Sequence, residues 1–237
     1  MKLTSIVFLI FLLPSLVWGQ NKNGNNGCAN DAMLLSADTL KKSKIQIPVV
    51  QHYCYSDKTG NYVLYLAEKQ DLLYASRNLS TVVEAHLFKL ENDQTLSSPI
   101  IIRDSAKRPG TIEDEAGVTF WQQHTEIKDI DADGNMEAML VYRMYAEDDL
   151  KIRDDPYFGR LKIVMFYKGS KVVIRATTGP FHGDPFTTAS ENFFSLPKSI
   201  QEYLTRKMKK MSEDKLFAFD HKHDYIPLKV REPYKEF

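Results

Sequence analysis

Leu161-Lys-Ile-Val-Met-Phe-Tyr167, then Lys168-Gly-Ser170, then Val172-Val-Ile-Arg-Ala176 reads as a β-hairpin. Two short segments dense in β-branched and aromatic residues flank a brief turn that carries a glycine. The pattern extends outward in both directions. Towards the N-terminus lie Ile45 to Cys54, Tyr62 to Ala67, Val82 to Leu90 and Ile100 to Arg103. Asp57-Lys-Thr-Gly60 precedes the second of these, and Glu91-Asn-Asp-Gln94 separates the third from the fourth, as hairpin turns would. Val118 to Ile127 and Met136 to Tyr145 continue the series. The fold class is therefore mainly β, an antiparallel meander of sandwich-like or propeller-blade-like hairpins.

Near the C-terminus the period changes. After Pro197, residues Ile200, Tyr203, Leu204, Met208 and Met211 recur at helical spacing, and proline suits a first helical turn. This predicts one amphipathic helix over about 197–211 that packs on the sheet. The basic run Arg206-Lys-Met-Lys-Lys210 then falls on its solvated face. Thr177-Thr-Gly-Pro-Phe-His-Gly-Asp-Pro185 reads as a long loop between sheet and helix, and Phe217 to Phe237 has no clear period. With no repeat period along the chain, residues 31–237 are read as a single β-rich domain.

The N-terminus has its own logic. Lys2, the apolar run Ile6 to Leu13, Pro14 and the small-ended Ser15-Leu-Val-Trp-Gly19 follow the order of a secretory signal peptide, residues 1–19. The run is shorter than the roughly 20 residues a bilayer span needs. After cleavage no stable membrane insertion is expected, and residues 20–30, rich in Asn, Gly and Lys, read as a flexible leader. Secretion to the periplasm or cell surface follows. Lys and Arg total 31 against 31 Asp and Glu, so nothing attracts nucleic acid at long range. Two cysteines, Cys28 and Cys54, would meet an oxidising compartment, where an even count favours one disulfide; two separate thiols are the other reading.

One motif carries chemistry. Asp129-Ile-Asp131-Ala-Asp133-Gly134-Asn135-Met-Glu137 sets carboxylates on alternate residues, then a glycine, then a fourth carboxylate. Like charges this close repel unless a cation joins them. Ca2+ fits best, because it accepts six to eight oxygens in flexible geometry and the glycine permits a sharp turn. The candidate metal ligands are Asp129, Asp131, Asp133, Asn135 and Glu137. The loop departs from an EF-hand: Leu140 stands where the bidentate glutamate would be, and both flanks read as strands. Glu137 is therefore the closing ligand, directly or through water. The competing reading is a solvated acidic turn.

Asp129 to Tyr145 together with Arg160 to Gly179 resembles a family of secreted Bacteroidota proteins, some labelled surface polysaccharide biosynthesis proteins. Phe194-Ser-Leu-Pro197 and the following helix extend the resemblance, which covers about half the mature chain. Asp155-Pro156 departs from the Ser-Pro of that family. The resemblance implies a single calcium-type loop and a link to the cell envelope, and it supplies no catalytic residue.

Other constellations are thin. The six histidines lack any H-E-x-x-H, and no G-x-S-x-G is present. His221-Lys-His223-Asp224 reads as a solvated loop before it reads as a transition-metal site. Carboxylate clusters at Glu113 to Glu115, Glu147 to Asp149 and Asp154-Asp155 leave a glycoside hydrolase as one alternative. A second is a periplasmic immunity or inhibitor protein that binds a toxin through Glu147 to Asp155. The leading expectation is a non-catalytic, calcium-stabilised envelope accessory protein whose partner is a protein or a surface glycan.

Overall fold

A computed structural model describes residues 31–74, 77–93, 95–106, 115–148, 151–152, 155–179 and 183–230. The signal segment and the whole leader, residues 20–30 with Cys28, lie outside these residues. The chain is mainly β, with antiparallel sheets and one long C-terminal helix.

Strands β1 (Val49–Asp57), β2 (Gly60–Glu68), β5 (Val82–Leu90) and β6 (Leu96–Ser105) form a four-stranded sheet in the order β1-β2-β5-β6. A small ribbon, β3 (Leu72–Tyr74) with β4 (Arg77–Leu79), interrupts it. The second sheet has eight strands. Its main path runs β10 (Lys151–Ile152), β9 (Glu137–Asp148), β11 (Gly159–Tyr167), β12 (Ser170–Gly179), β13 (Gly183–Ala189), β14 (Leu228–Lys229). β7 (Glu115–Phe120) and β8 (Glu126–Lys128) also pair with β9. The last contact, β13 with β14, is parallel.

The sheets lie face to face. Leu64, Leu66, Val83 and Leu87 of one meet Leu140, Tyr142, Val164 and Phe166 of the other in a common core, the sandwich-like option. The far face of the larger sheet, with Val141, Leu161, Ile163 and Ile174, is covered by α3 (Lys198–Glu213) through Ile200, Leu204, Met208 and Met211. Strands β9 and β11, and Val172 to Ile174 of β12, are therefore buried on both faces, which explains why they read as unbroken apolar runs. The outer face of the smaller sheet, with Cys54, Val63, Tyr65 and Phe88, packs under the N-terminal segment through Leu34 and Ile45. That segment holds α1 (Asp31–Leu34) and α2 (Ala37–Lys42), where Ser36 caps α2 by accepting the Thr39 N–H at 3.2 Å. Among the described residues no helix is long and apolar enough to cross a membrane.

Two local expectations change. The single strand Val118 to Ile127 is two pieces: β7 stops at Phe120, a one-turn 3-10 helix spans Gln122–His124, and β8 resumes at Glu126. The break lets Trp121 turn into the helix-side core. The stretch Thr177 to Pro185 is mostly strand, with Thr177 to Gly179 ending β12 and Gly183 opening β13. Pro185 is tolerated because β13 meets β14 only at Thr188 and Ala189.

A buried carboxylate ties the sheets together. Glu68, at the end of β2, accepts the Phe120 N–H at 2.7 Å and the Thr119 hydroxyl at 3.0 Å. Burial raises its pKa above the ordinary glutamate value, and the hydrogen bonds from Phe120, Thr119, Ser80 and Gln70 oppose the rise. Stability from holding that proton is complete below about pH 4.5 and is lost as pH rises through the higher folded-state value. Glu68→Gln, which stays neutral, should therefore gain stability relative to the parent between pH 4 and 7 in urea titrations. Glu68→Ala, which orphans the Phe120 N–H, should lose about 1–3 kcal/mol. A Gln variant that tracks the parent at every pH would refute this role.

Candidate metal site

The β8–β9 connection is folded by its own side chains. Ala132 at φ 58° and Gly134 at φ 86° take left-handed conformations that reverse the chain. Asp129 accepts the Asp133 N–H at 3.1 Å through Oδ1 and the Gly134 N–H at 2.9 Å through Oδ2. Glu137, the first residue of β9, accepts the Ile130 N–H at 2.7 Å. A side chain at position 134 would also strike Lys58, whose Cε lies 2.1 Å from the place of a Cβ.

This folding brings three carboxylates together. Ligand oxygens of Asp129, Asp131 and Glu137 all lie within 4.8 Å of one another, a group that can hold a metal ion. Glu137 is 1% exposed. Burial, the largest cause, pushes its pKa up to about 7; the charges of Asp131, Asp133 and Asp129 add to the rise, and the Ile130 N–H opposes it. Asp131 receives the Tyr167 hydroxyl on Oδ2 at 3.2 Å, while its Oδ1 is buried with no hydrogen-bond partner. The Asn135 Oδ1 is buried and unpartnered as well.

Asp133 is placed differently from its neighbours. Its Oδ2 pairs with Lys168 Nζ at 2.6 Å, and its Oδ1 accepts the Asn135 N–H at 2.8 Å and Nδ2 at 2.9 Å. Of the five residues singled out by spacing, Asp129, Asp131 and Glu137 converge, Asn135 contributes a buried amide oxygen, and Asp133 faces a lysine.

Contacts that no local motif announces hold the loop against both sheets. Asp57 Oδ2 accepts the Met136 N–H at 3.2 Å, and the Lys58 N–H donates to the Gly134 carbonyl at 3.2 Å. Lys58 Nζ also bonds the Asp133 carbonyl. Asp57 and Lys58 belong to the β1–β2 turn, whereas Tyr167 and Lys168 belong to the β11–β12 turn. The sequence marks both stretches as turns, and only their meeting shows that they frame one site.

The remaining candidates scatter. A second group, Asp31, His52 and Cys54, also gathers metal-type ligand atoms on the outer face of the smaller sheet. Cys54 there is buried, and its expected partner Cys28 lies outside the described residues. His221 and His223 join neither group. Asp155 caps its own turn by accepting the Tyr157 N–H at 2.8 Å, and Glu115 pairs with Arg160 at 2.5 Å. Glu113, Asp114, Asp149 and Asp154 lie outside the described residues.

Comparison with protein-family models, with curated proteins and with solved structures returns no match to this chain.

Proposed function

We propose that the protein is exported, loses residues 1–19, and acts in the periplasm or at the cell surface as a non-catalytic, calcium-stabilised accessory protein that binds surface polysaccharide. The observation that carries the calcium reading is the convergence of Asp129, Asp131 and Glu137 with an unpartnered, buried Asp131 Oδ1. Every donor in that group is a hard oxygen, and no nitrogen or sulfur joins it, which favours Ca2+ over zinc or copper. Asp129, Asp131, Asn135 and Glu137 would hold the ion, and Asp133 would join by exchanging its Lys168 contact. Bound there, the ion neutralises the mutual repulsion of the carboxylates and fixes the loop between two hairpin turns.

Export and the disulfide share one test. The full chain, expressed with export in a bacterium, should be recovered from the periplasm with Gln20 as its first residue. Cys28 and Cys54 should be unreactive to a thiol reagent until reductant is added. Recovery of unprocessed, thiol-reactive protein would contradict both. The polysaccharide role is tested by retention of the mature protein on immobilised bacterial surface polysaccharide in calcium. Retention that is lost in EDTA supports the reading; passage through the column in both buffers ends it.

A further inference from the structure

On the face that the larger sheet turns towards the smaller one, Arg175 and Thr177 of β12 are half-buried and Phe186 of β13 is exposed. β6 is the edge of the smaller sheet, and Asp104 near its end receives the Tyr142 hydroxyl at 3.0 Å and Lys162 Nζ at 2.6 Å. Those partners sit on β9 and β11. Strand register fixes what this face presents. Val164 and Val173 point into the core between the sheets, so alternation puts Arg160, Lys162, Arg175 and Thr177 on the same face. Lys162 lies opposite Arg175, which lies opposite Thr188; Arg160 lies opposite Thr177, which lies opposite Phe186.

The charges on this face do not balance. Lys162 is paired with Asp104, and Arg160 is held by Glu115 at 2.5 and 2.8 Å. Arg175 is half-buried and, among the described residues, has neither hydrogen bond nor ion pair. Its direct cross-strand neighbour is another cation, Lys162. Asp104 already neutralises Lys162, so Arg175 is left as a cation without a carboxylate partner among the described residues, which favours an anion above it. The surroundings narrow the anion. Phe186 is 49% exposed beside it, and the half-buried Thr177 lies on the same face. An aromatic face, a hydroxyl and a guanidinium fork together suit a sugar ring that bears a carboxylate.

We propose that the shelf formed by Arg175, Thr177 and Phe186 binds an acidic, uronate-bearing glycan, with Arg175 pairing the carboxylate and Phe186 stacking on the ring. This rests on the polysaccharide reading above and assigns it a site.

The test is calorimetry of the mature protein in calcium, with a hyaluronan hexasaccharide as the acidic probe, chitohexaose as its neutral counterpart, and free acetate and inorganic phosphate as simple anions. Hyaluronan should bind, and more weakly as salt is raised, with chitohexaose and the simple anions at least about ten-fold weaker. Arg175→Gln and Phe186→Ala should each weaken hyaluronan by about ten-fold or more at an unchanged melting temperature. Arg175→Lys, which keeps the charge and loses the fork, should fall between parent and Arg175→Gln. Hyaluronan binding that neither variant changes would move the glycan elsewhere and overturn this site, leaving the polysaccharide role intact. Phosphate or acetate binding as tightly as hyaluronan would reduce the shelf to a simple anion site. No glycan binding, together with no retention on surface polysaccharide, would remove the role and the site together.

Discussion

In about 1 mM calcium the mature protein should melt roughly 5 to 10 °C higher than in EDTA. A dissociation constant of about 10 μM stabilises the folded state by about 2.7 kcal/mol at a hundred-fold excess of ion. For a chain of this size each kcal/mol moves the melting temperature by about 2–4 °C. Asp131→Ala should abolish the calcium effect, because Asp131 supplies the buried, unpartnered oxygen of the group. The sign in EDTA is informative too. Removing one of three mutually repelling carboxylates should leave the metal-free variant at least as stable as the metal-free parent. Calorimetric titration supplies the stoichiometry, expected to be one ion. Superimposed melts in calcium and EDTA would leave Asp129 to Glu137 an acidic turn.

The second large effect lies at Arg143. This residue is 1% exposed in the middle of β9. Its Nη2 donates to the Asp155 carbonyl at 2.6 Å and the Phe158 carbonyl at 2.9 Å, and Nη1 reaches the Leu216 carbonyl at 3.5 Å. The guanidinium also lies 4.9 Å from the Tyr145 ring centre, 5.4 Å from Phe217 and 5.6 Å from Trp121. One side chain thus joins β9, the β11 approach and the segment after α3. Arg143→Met keeps much of the volume and strips these carbonyls of their donor, so about 3–5 kcal/mol should be lost in urea unfolding. Arg143→Lys should restore little, since one ammonium cannot serve carbonyls on separate segments. A loss below about 1 kcal/mol for Arg143→Met would show that water replaces the guanidinium.

What the sequence discloses depends on how far apart the deciding residues lie. β11 and β12 are legible because their β-branched residues and the Lys168-Gly-Ser170 turn are adjacent, and α3 because Ile200, Leu204, Met208 and Met211 repeat at helical spacing. The acidic loop is legible for the same reason, since its candidate ligands fall within nine consecutive residues. Arg143 reads as one polar residue in an apolar strand, because its partners lie 12, 15 and 73 residues away. The diversion of Asp133 to Lys168 and the clamp from Asp57 and Lys58 are long-range in the same way. α1 and α2 are too short to hold on propensity alone, and the outer face of the smaller sheet stabilises them. β13 was hidden by composition, since glycine and proline cluster where the chain is extended.

Pro185 has a consequence beyond its own strand. The margin of β13 beyond its two-residue contact with β14 would otherwise offer unpaired backbone donors to any passing chain. A proline there has no N–H to give, and it stands next to exposed Phe186, the residue most inviting to such a neighbour. The proline that disguises the strand in the sequence thus guards an otherwise adhesive border, helping the protein resist edge-to-edge aggregation while keeping its aromatic face open.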